Sequence, residues 1–287
     1  PAFGDIDGDG TAEIVVGTSN WSDEGVIYAF EKEGTPVSGF PIIHGAVQGT
    51  IVLADLNNDG SLEIITNKRI NPIGEVWVYK GDGTVYPGWP KTLNEIPASS
   101  SAAGDITGDG IPEIISESYI SVYAYDRDGN ELPGFPFNMP NGDANSFSSP
   151  VLADVDGDDI REILFGTHNP TTYRGDVYIL KNNGTVFHGW PKETNGWIYG
   201  PPVLGYVNDD NILDIVVGDK IFSFIRSSHI YAWDVDGNVL SGCPIGPLNS
   251  INNQVSLADI DDDDRLELIV DDNSQSGSGN GKYLTFN

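Results

Sequence analysis

The sequence predicts an all-β fold, a β-propeller of about six four-stranded blades, from three observations. An acidic loop recurs six times in the 287-residue chain, roughly every 50 residues, and a fixed period of this kind indicates a repeat architecture. A short β-branched apolar run follows each loop. A further segment of alternating aromatic and β-branched residues then leads to Gly-aromatic-Pro, or once to Gly-Cys-Pro. These segments are strand-like, and four short strands per repeat form a propeller blade.

The first two strands of each repeat flank the acidic loop. The six acidic loops, numbered in chain order, span residues 5–13, 55–63, 105–113, 154–162, 206–214 and 259–267. The run after each loop, such as Ile14-Val15-Val16, is typical of a strand. An EF-hand would need flanking helices and a glutamate at loop position 12, where acidic loop 1 has Val16. The loops are therefore predicted to bind calcium between strands.

Oxygen-bearing side chains at loop positions 1, 3, 5 and 9, with the backbone carbonyl at position 7, match the six to eight oxygens that calcium takes. Because Tyr206 occupies position 1, acidic loop 5 is predicted to bind calcium weakly or to be empty. Thr107 at position 3 predicts weaker calcium binding in acidic loop 3. We expect four to five strong calcium sites. The alternative is that the loops are acidic turns that bind nothing. The predicted ligands are Asp5, Asp7, Asp9, Thr11, Glu13, Asp55, Asn57, Asp59, Ser61, Glu63, Asp105, Thr107, Asp109, Ile111, Glu113, Asp154, Asp156, Asp158, Ile160, Glu162, Asn208, Asp210, Ile212, Asp214, Asp259, Asp261, Asp263, Arg265 and Glu267.

The third and fourth strands complete each repeat. Val76-Trp77-Val78-Tyr79 exemplifies the third strand, and the fourth is predicted around Gly-aromatic-Pro, as at Gly88-Trp89-Pro90. Asx-Gly turns such as Asp128-Gly129 join the two. One domain, residues 1–287, is predicted, with repeats near 1–48, 49–98, 99–148, 149–200, 201–253 and 254–287. The last repeat lacks its fourth strand. We expect this chain to be a mature or excised piece of a longer secreted protein, in which a seventh blade is possible.

The charge and the apolar pattern of the chain argue against nucleic acid and membrane as partners. The formal net charge is −29, from 43 acidic and 14 basic residues, and much of the acid lies in the loops. Nucleic acid is therefore not an expected partner. No run of 18 apolar residues is present, so membrane insertion is not expected.

Calcium at millimolar concentration is an extracellular condition, which favours a secreted or cell-surface protein over an acidic intracellular protein of a halophile. The single Cys243 is expected to be a buried structural thiol.

These motifs resemble the FG-GAP/VCBS repeat family, the calcium-loop blades of integrin α-chain heads and of many secreted microbial proteins. Asp5-Ile-Asp-Gly-Asp-Gly-Thr-Ala-Glu13 followed by Ile14-Val-Val-Gly17 carries the signature, and related copies cover nearly the whole chain. The resemblance implies a β-propeller with calcium between the first two strands of a blade. It also implies a role in adhesion, in ligand binding or as an accessory domain.

A ligand-binding face is expected at the end of the propeller opposite the calcium loops. Longer, irregular connections collect there, and variable loops on a rigid scaffold tend to carry function. Aromatic side chains with polar neighbours suit sugar rings or a protein partner. The alternative is that they only pack the loops. The candidate residues are Trp21, Phe147, Tyr173, Arg174, Trp197, Tyr199, Phe222 and Arg226.

The sequence therefore predicts a calcium-stabilised extracellular binding or adhesion propeller that is not an enzyme and recognises a protein or a glycan. The first alternative is a carbohydrate-active protein, either a lectin or a polysaccharide lyase on a propeller scaffold. The second is a structural subunit of an extracellular assembly, in which an open blade edge pairs with another chain. Asp272-Asn-Ser274-Gln-Ser276 imitates a metal-dependent adhesion site, but such sites belong to a different fold.

Overall fold

The structure is a computed structural model that describes residues 1–20, 23–145, 147–208, 210, 212–221, 227–262, 265–272 and the backbone of 282–286. Every regular element within these ranges is a β-strand. The all-β class predicted from the sequence is thereby confirmed. No helix in the described ranges has the length and apolarity needed to cross a membrane.

The strands form antiparallel sheets in which each strand pairs with its chain neighbour. Five of the sheets have four strands and the last has three among the described residues. The strands of the first three sheets are β1 (Ala2–Gly4), β2 (Glu13–Gly17), β3 (Val26–Phe30), β4 (Ile42–Ile43); β5 (Val47–Ala54), β6 (Glu63–Ile70), β7 (Ile73–Tyr79), β8 (Lys91–Leu93); and β9 (Ala102–Gly104), β10 (Glu113–Glu117), β11 (Ser121–Tyr125), β12 (Phe137–Asn138). Those of the last three are β13 (Val151–Ala153), β14 (Glu162–Gly166), β15 (Gly175–Leu180), β16 (Lys192–Thr194); β17 (Val203–Gly205), β18 (Asp214–Gly218), β19 (Ser228–Asp234), β20 (Ile245–Leu248); and β21 (Ser256–Ala258), β22 (Glu267–Asp272), β23 (Lys282–Phe286).

The central strands of the sheets are buried on both faces. Every residue of β10, β14 and β18 is buried, which explains the uninterrupted apolar runs Ile163-Leu164-Phe165 in β14 and Ile215-Val216-Val217 in β18. The first strands β1 and β13 are shorter and only partly buried. Four-stranded antiparallel sheets in consecutive repeats are the building units of propellers.

The chain divides into two compact units. The first comprises Pro1–Met139, Asp159–Arg161 and Asn182–Gly184, and the second comprises Pro140–Asp158, Glu162–Lys181 and Thr185–Asn287. The core of the first unit is built around buried aliphatic and aromatic residues that include Ile6, Val15, Ile27, Ile64, Val76, Trp89, Ile114 and Tyr125. The core of the second includes Leu164, Val177, Trp190, Ile198, Ile215, Trp233, Ile251 and Leu268.

The Gly-aromatic-Pro tripeptides lie just before the fourth strand rather than within it, which refines the prediction. At Trp89-Pro90 and Trp190-Pro191 the peptide bond is cis, and β8 and β16 begin at the next residue. The preceding Gly88 and Gly189 have positive φ, a conformation that suits glycine in a turn. Proline also has no backbone N–H for strand pairing.

These turns hold neighbouring sheets together. The indole Nε1 of Trp190 donates to the carbonyl of Val235 at 2.8 Å, in the turn that follows β19. A Cβ placed on Gly189 would lie 2.3 Å from the carbonyl oxygen of Asp236 in the same turn. The backbones therefore approach so closely that a glycine is needed. In the first unit, Trp89 makes the same contact with the carbonyl of Arg127 at 2.9 Å.

Candidate functional site

All six acidic loops connect the first and second strands of their sheets. The flanking elements are strands, as the prediction of a loop other than an EF-hand requires. Each loop begins directly after a first strand, as Asp105 does after Gly104 of β9. Each ends on the first residue of a second strand, as Glu113 does in β10.

The carboxylate at loop position 1 organises the loop backbone. Asp5 accepts hydrogen bonds from the N–H groups of Gly8 at 2.7 Å and Gly10 at 2.9 Å. Asp105 accepts the same pair of bonds, from Gly108 at 2.7 Å and Gly110 at 2.8 Å. Asp55 and Asp154 likewise accept backbone N–H groups of their own loops. The loop is therefore curled around its first side chain.

The carboxylate at loop position 9 is buried in all six loops, with at most 4% exposure. In each loop one of its oxygens accepts the backbone N–H of position 2, at 2.8–3.1 Å. The other oxygen of Glu13, Asp214 and Glu267 is buried and has no hydrogen-bond partner among the described residues. A buried carboxylate oxygen without a partner is costly. These oxygens therefore fit a site for a cation.

Burial raises the pKa of the position-9 carboxyl in five loops. The pKa of Glu162 rises to about 7, first because of burial and then because Asp156 and Asp158 lie close by. The pKa values of Glu13, Glu63, Glu113 and Asp214 are raised by the same cause. A cation in the loop would oppose this effect, because a nearby positive charge favours the ionised form.

In three loops the described carboxylates already lie close enough to share an ion. Ligand oxygens of Asp5, Asp7 and Glu13 lie within 4.8 Å of one another. The same holds for the equivalent carboxylates of acidic loops 4 and 6, which are Asp154, Asp156, Glu162 and Asp259, Asp261, Glu267. Hard oxygen donors at this density suit calcium.

Acidic loops 2 and 3 have neutral side chains at position 3. Asn57 donates from Nδ2 to Asp59 at 2.9 Å, and the hydroxyl of Thr107 donates to Glu113 at 3.3 Å. Each of these side chains also carries an oxygen that could coordinate a cation. The carboxylate at position 5 is positioned by a bond from the backbone of position 7, as Asp109 is by Ile111 and Asp59 by Ser61, both at 2.8 Å.

Acidic loop 5 has Tyr206 in place of a carboxylate at position 1, so no carboxylate organises this loop from that position. The Tyr206 side chain is 59% exposed. Asp210 and Asn208 are held by a 3.0 Å bond from the backbone of Asp210 to Oδ1 of Asn208. In acidic loop 6, the predicted ligand Asp263 lies outside the described residues, as do Trp21, Phe222, Arg226 and residues 273–276 of the adhesion-site-like motif.

Four of the predicted ligand-face residues form one aromatic cluster in the second unit. Phe147 contacts Tyr199 with ring centroids 4.9 Å apart, and Tyr199 lies 6.2 Å from Trp197. Trp197 in turn lies 6.4 Å from Tyr173. Arg174 forms an ion pair with Glu193 on β16. These connections lie at the strand ends opposite the acidic loops of the same sheets, because the strands are antiparallel.

Buried polar groups support the connections that carry the cluster. Asp143 accepts the hydroxyl of Tyr178 at 2.8 Å and the amide of Asn169 at 3.1 Å. The Oδ1 of Asn169 accepts the backbone N–H groups of Thr171 and Thr172, just before Tyr173. The pKa of Asp176 rises to about 7, through burial first and then the charge of Asp143.

Sequence reasoning missed several neighbours of the aromatic cluster. The Nζ of Lys220 lies 4.1 Å from the ring centroid of Tyr199. The ring centroids of His168 and Trp197 lie 4.4 Å apart. A groove beside Phe147 and Tyr199, which we name the amide groove, has a volume of about 430 Å³. Its lining is Phe147, Tyr199, Gly200, Pro201, Asn252, Asn253 and Gln254. The last three follow β20 without a motif, so no sequence signal identified them.

The sheets and loops together define a class, a repeat protein of four-stranded antiparallel sheets, each with an oxygen-rich loop after its first strand. Residues 2–66 match the FG-GAP-like repeat. The resemblance to the FG-GAP repeat family is thereby confirmed. No curated protein sequence matches the chain significantly.

Two solved structures have similar folds. The V. cholerae biofilm matrix protein Bap1 is 22% identical with a TM-score of 0.55, over 82% of this chain and 37% of the Bap1 chain. This chain therefore spans little more than a third of that relative. The C-terminal domain of Pseudomonas aeruginosa PilY1 is 14% identical with a TM-score of 0.51, over 96% of this chain and 71% of that domain. At these identities the likeness extends to the fold alone.

Proposed function

We propose that this chain is a calcium-stabilised extracellular propeller that binds a protein or glycan ligand and performs no chemistry. The observation that carries the proposal is the repeated burial of the position-9 carboxylate. Six loops bury this group in one hydrogen-bonding arrangement, and in three of them a buried oxygen has no partner among the described residues. Solvated acidic turns would not need that oxygen to be buried.

Calcium would be held by the side chains at positions 1, 3, 5 and 9 and by the carbonyl at position 7. Its charge would offset the repulsion among carboxylates that lie within 4.8 Å of one another. Because the unfolded chain lacks these sites, calcium binding would add directly to folding stability. Four to five strong sites remain the expected number, with acidic loop 5 weak or empty.

An extracellular adhesion role is supported by the calcium loops and by the FG-GAP-like repeat. The millimolar calcium outside cells would saturate loops of modest affinity. Variable connections opposite the acidic loops would contact the ligand, and the aromatic cluster is an exposed apolar part of them. Phe147 and Tyr173 are more than half exposed, which leaves their rings available to a partner.

A calcium titration tests the metal sites. The chelated chain is titrated with calcium by calorimetry while its melting temperature is followed. We expect four or five sites and a melting temperature that rises with calcium. Glu63→Gln should lower the stoichiometry by one, whereas Glu33→Gln, which changes an exposed glutamate outside the loops, should leave it unchanged. Absence of calcium binding, or binding without stabilisation, would contradict the proposal.

An adhesion assay tests the binding role. Beads coated with the chain are applied to cells and to polysaccharide-coated surfaces, with calcium or with a chelator. Calcium-dependent retention on either surface is expected. Equal retention of beads coated with an unrelated acidic protein would contradict an adhesive function.

A polysaccharide lyase is the second candidate, and Lys220 is the observation that favours it. Burial lowers the pKa of this lysine, which would make it a better base, and it lies against Tyr199. Turnover of uronic acid polymers that is lost in Lys220→Met would support a lyase. No turnover across a panel of such polymers would exclude it.

A further inference from the structure

The amide groove has a neutral lining on a strongly acidic protein. The chain carries a net charge of −29, yet the groove is lined by two aromatic rings, a glycine, a proline and three side-chain amides. A ligand that enters it meets apolar rings and neutral hydrogen-bonding groups. The acidity of the rest of the protein would repel an anionic ligand.

The aromatic side of the groove is held in a strained conformation. Phe147 has φ of 124° and is 58% exposed, and a bulky side chain rarely adopts a positive φ. The fully buried Asn145 fixes this conformation, because its Oδ1 accepts the N–H of Phe147 at 3.0 Å and its Nδ2 donates to the carbonyl of Ser148 at 2.9 Å. Strain that is maintained by a buried clamp is a reason to suspect function.

The opposite side of the groove presents amide groups with unused capacity. Among the described residues, Asn252 accepts one long bond, from Ser250 at 3.4 Å, which leaves its Nδ2 donors available. Asn253 donates from its backbone and from Nδ2 to Asp271, so its Oδ1 remains an acceptor. Gln254 is exposed. The groove therefore offers both donors and acceptors within reach of an aromatic ring.

We propose that the amide groove binds a neutral oligosaccharide, with the Phe147 ring against the apolar face of a sugar and the three amides bonded to its hydroxyl groups. Sugars combine an apolar face with a rim of neutral donors and acceptors, which is the combination that this groove presents. The inference rests on the proposed binding function and specifies its ligand class and its residues. A ligand without polar groups, such as a hydrocarbon chain, would leave the amides without partners, which disfavours it.

The test is an array of neutral and uronic acid oligosaccharides probed with the full calcium-loaded chain, followed by calorimetry on the best ligand. We expect a neutral oligosaccharide to bind. Phe147→Ala should weaken this binding about tenfold or more, as loss of a central aromatic contact does, and Gln254→Ala should weaken it by a smaller factor. Phe3→Ala removes another exposed phenylalanine, on β1, and should leave the affinity unchanged. Calcium-dependent melting of each variant shows that it is folded.

Three results would overturn the inference: no neutral oligosaccharide binds, uronic acid oligosaccharides bind better, or Phe147→Ala binds as well as the parent. The adhesion assay separates these results from failure of the proposed function. If one of these results occurs while beads carrying the parent chain are still retained, adhesion uses another surface and only the groove assignment fails. If beads carrying the parent chain are not retained at all, the adhesive function itself fails.

Discussion

The contact between Gly189 and the turn after β19 can be isolated by comparison with Gly242. Both glycines precede the residue before a proline in their turns, with φ of 85° and 88°. A Cβ on Gly189 would lie 2.3 Å from the carbonyl oxygen of Asp236, whereas a Cβ on Gly242 would meet no described atom within 4 Å. Gly189→Ala and Gly242→Ala therefore share the cost of positive φ and differ in the steric clash.

The expected magnitudes follow from these two terms. Alanine in a left-handed conformation costs about 1–2 kcal/mol in either variant. At Gly189 the added methyl group would overlap the Asp236 carbonyl by about 1 Å relative to ordinary contact, so the two turns must separate, and overpacking of this kind costs a further ~1–3 kcal/mol. The difference between the variants should therefore be about 1–3 kcal/mol, which corresponds to roughly 2–4 °C in melting temperature per kcal/mol.

The assay is thermal unfolding of both variants and the parent at saturating calcium, so that metal binding is held constant. We expect Gly189→Ala to melt clearly below Gly242→Ala. Gly88→Ala, whose Cβ would lie 2.1 Å from the carbonyl of Asp128, should behave like Gly189→Ala. Equal melting temperatures for Gly189→Ala and Gly242→Ala would refute the argument that backbone contact between neighbouring turns fastens the sheets.

Three further predictions concern the loops and the buried titratable groups. Tyr206→Asp supplies the missing carboxylate at position 1, so calorimetry should show one more calcium site and the melting temperature in calcium should rise. Tyr206→Ala is the control. An unchanged calcium stoichiometry in Tyr206→Asp would contradict the ligand assignment. His44 is buried, and a 2.9 Å hydrogen bond joins its Nδ1 to the hydroxyl of Tyr79. Burial, and then the charge of Lys68, lower the pKa of His44 to about 4. Because the unfolded state binds the proton more readily, the folded chain should lose stability as pH falls from about 6.5 to 4, by at most about 3 kcal/mol. In denaturant titrations, the stability of His44→Gln should decrease less over this pH range, and an identical decrease would contradict this account. The pKa of Asp176 is raised from the ordinary value of 3.8 to about 7, so the folded state loses stability as pH rises from about 3.8 to about 7. Asp176→Asn should therefore raise the melting temperature at pH 8 relative to the parent and have little effect near pH 4, and the reverse pattern would show that the carboxylate is stabilised by Arg174.

Much of the fold was predictable because its signals are local. The run Ile163-Leu164-Phe165 identifies a strand buried on both faces, and the structure places it in β14 with every residue buried. The loop before it is recognisable because oxygen side chains must recur at alternate positions to face one centre. The position of the fourth strand was less accurate. Gly189 and Pro191 form the turn before it, and strand propensity alone does not separate a turn from the strand that it precedes.

The two candidate sites were predictable to different degrees, because the residues of one are close together in the chain and those of the other are not. The ligands of an acidic loop lie within nine residues, so their chemistry and spacing are visible together. The burial of Glu13 was not visible, because it arises from the packing of β2 within its sheet. The amide groove lay further beyond prediction, since Phe147, Tyr199 and Gln254 come from three separate connections.

The sequence by itself determined the repeat, the all-β class and the acidic loops, because each depends on residues close together in the chain. Only the tertiary structure decided which carboxylate oxygens are buried with no partner in the described ranges and which loop residues meet. Those properties depend on contacts between segments far apart in the chain. The approach of Gly200 to Gln254, where an added Cβ would lie 2.6 Å from the backbone, is one such contact, and no local pattern encodes it.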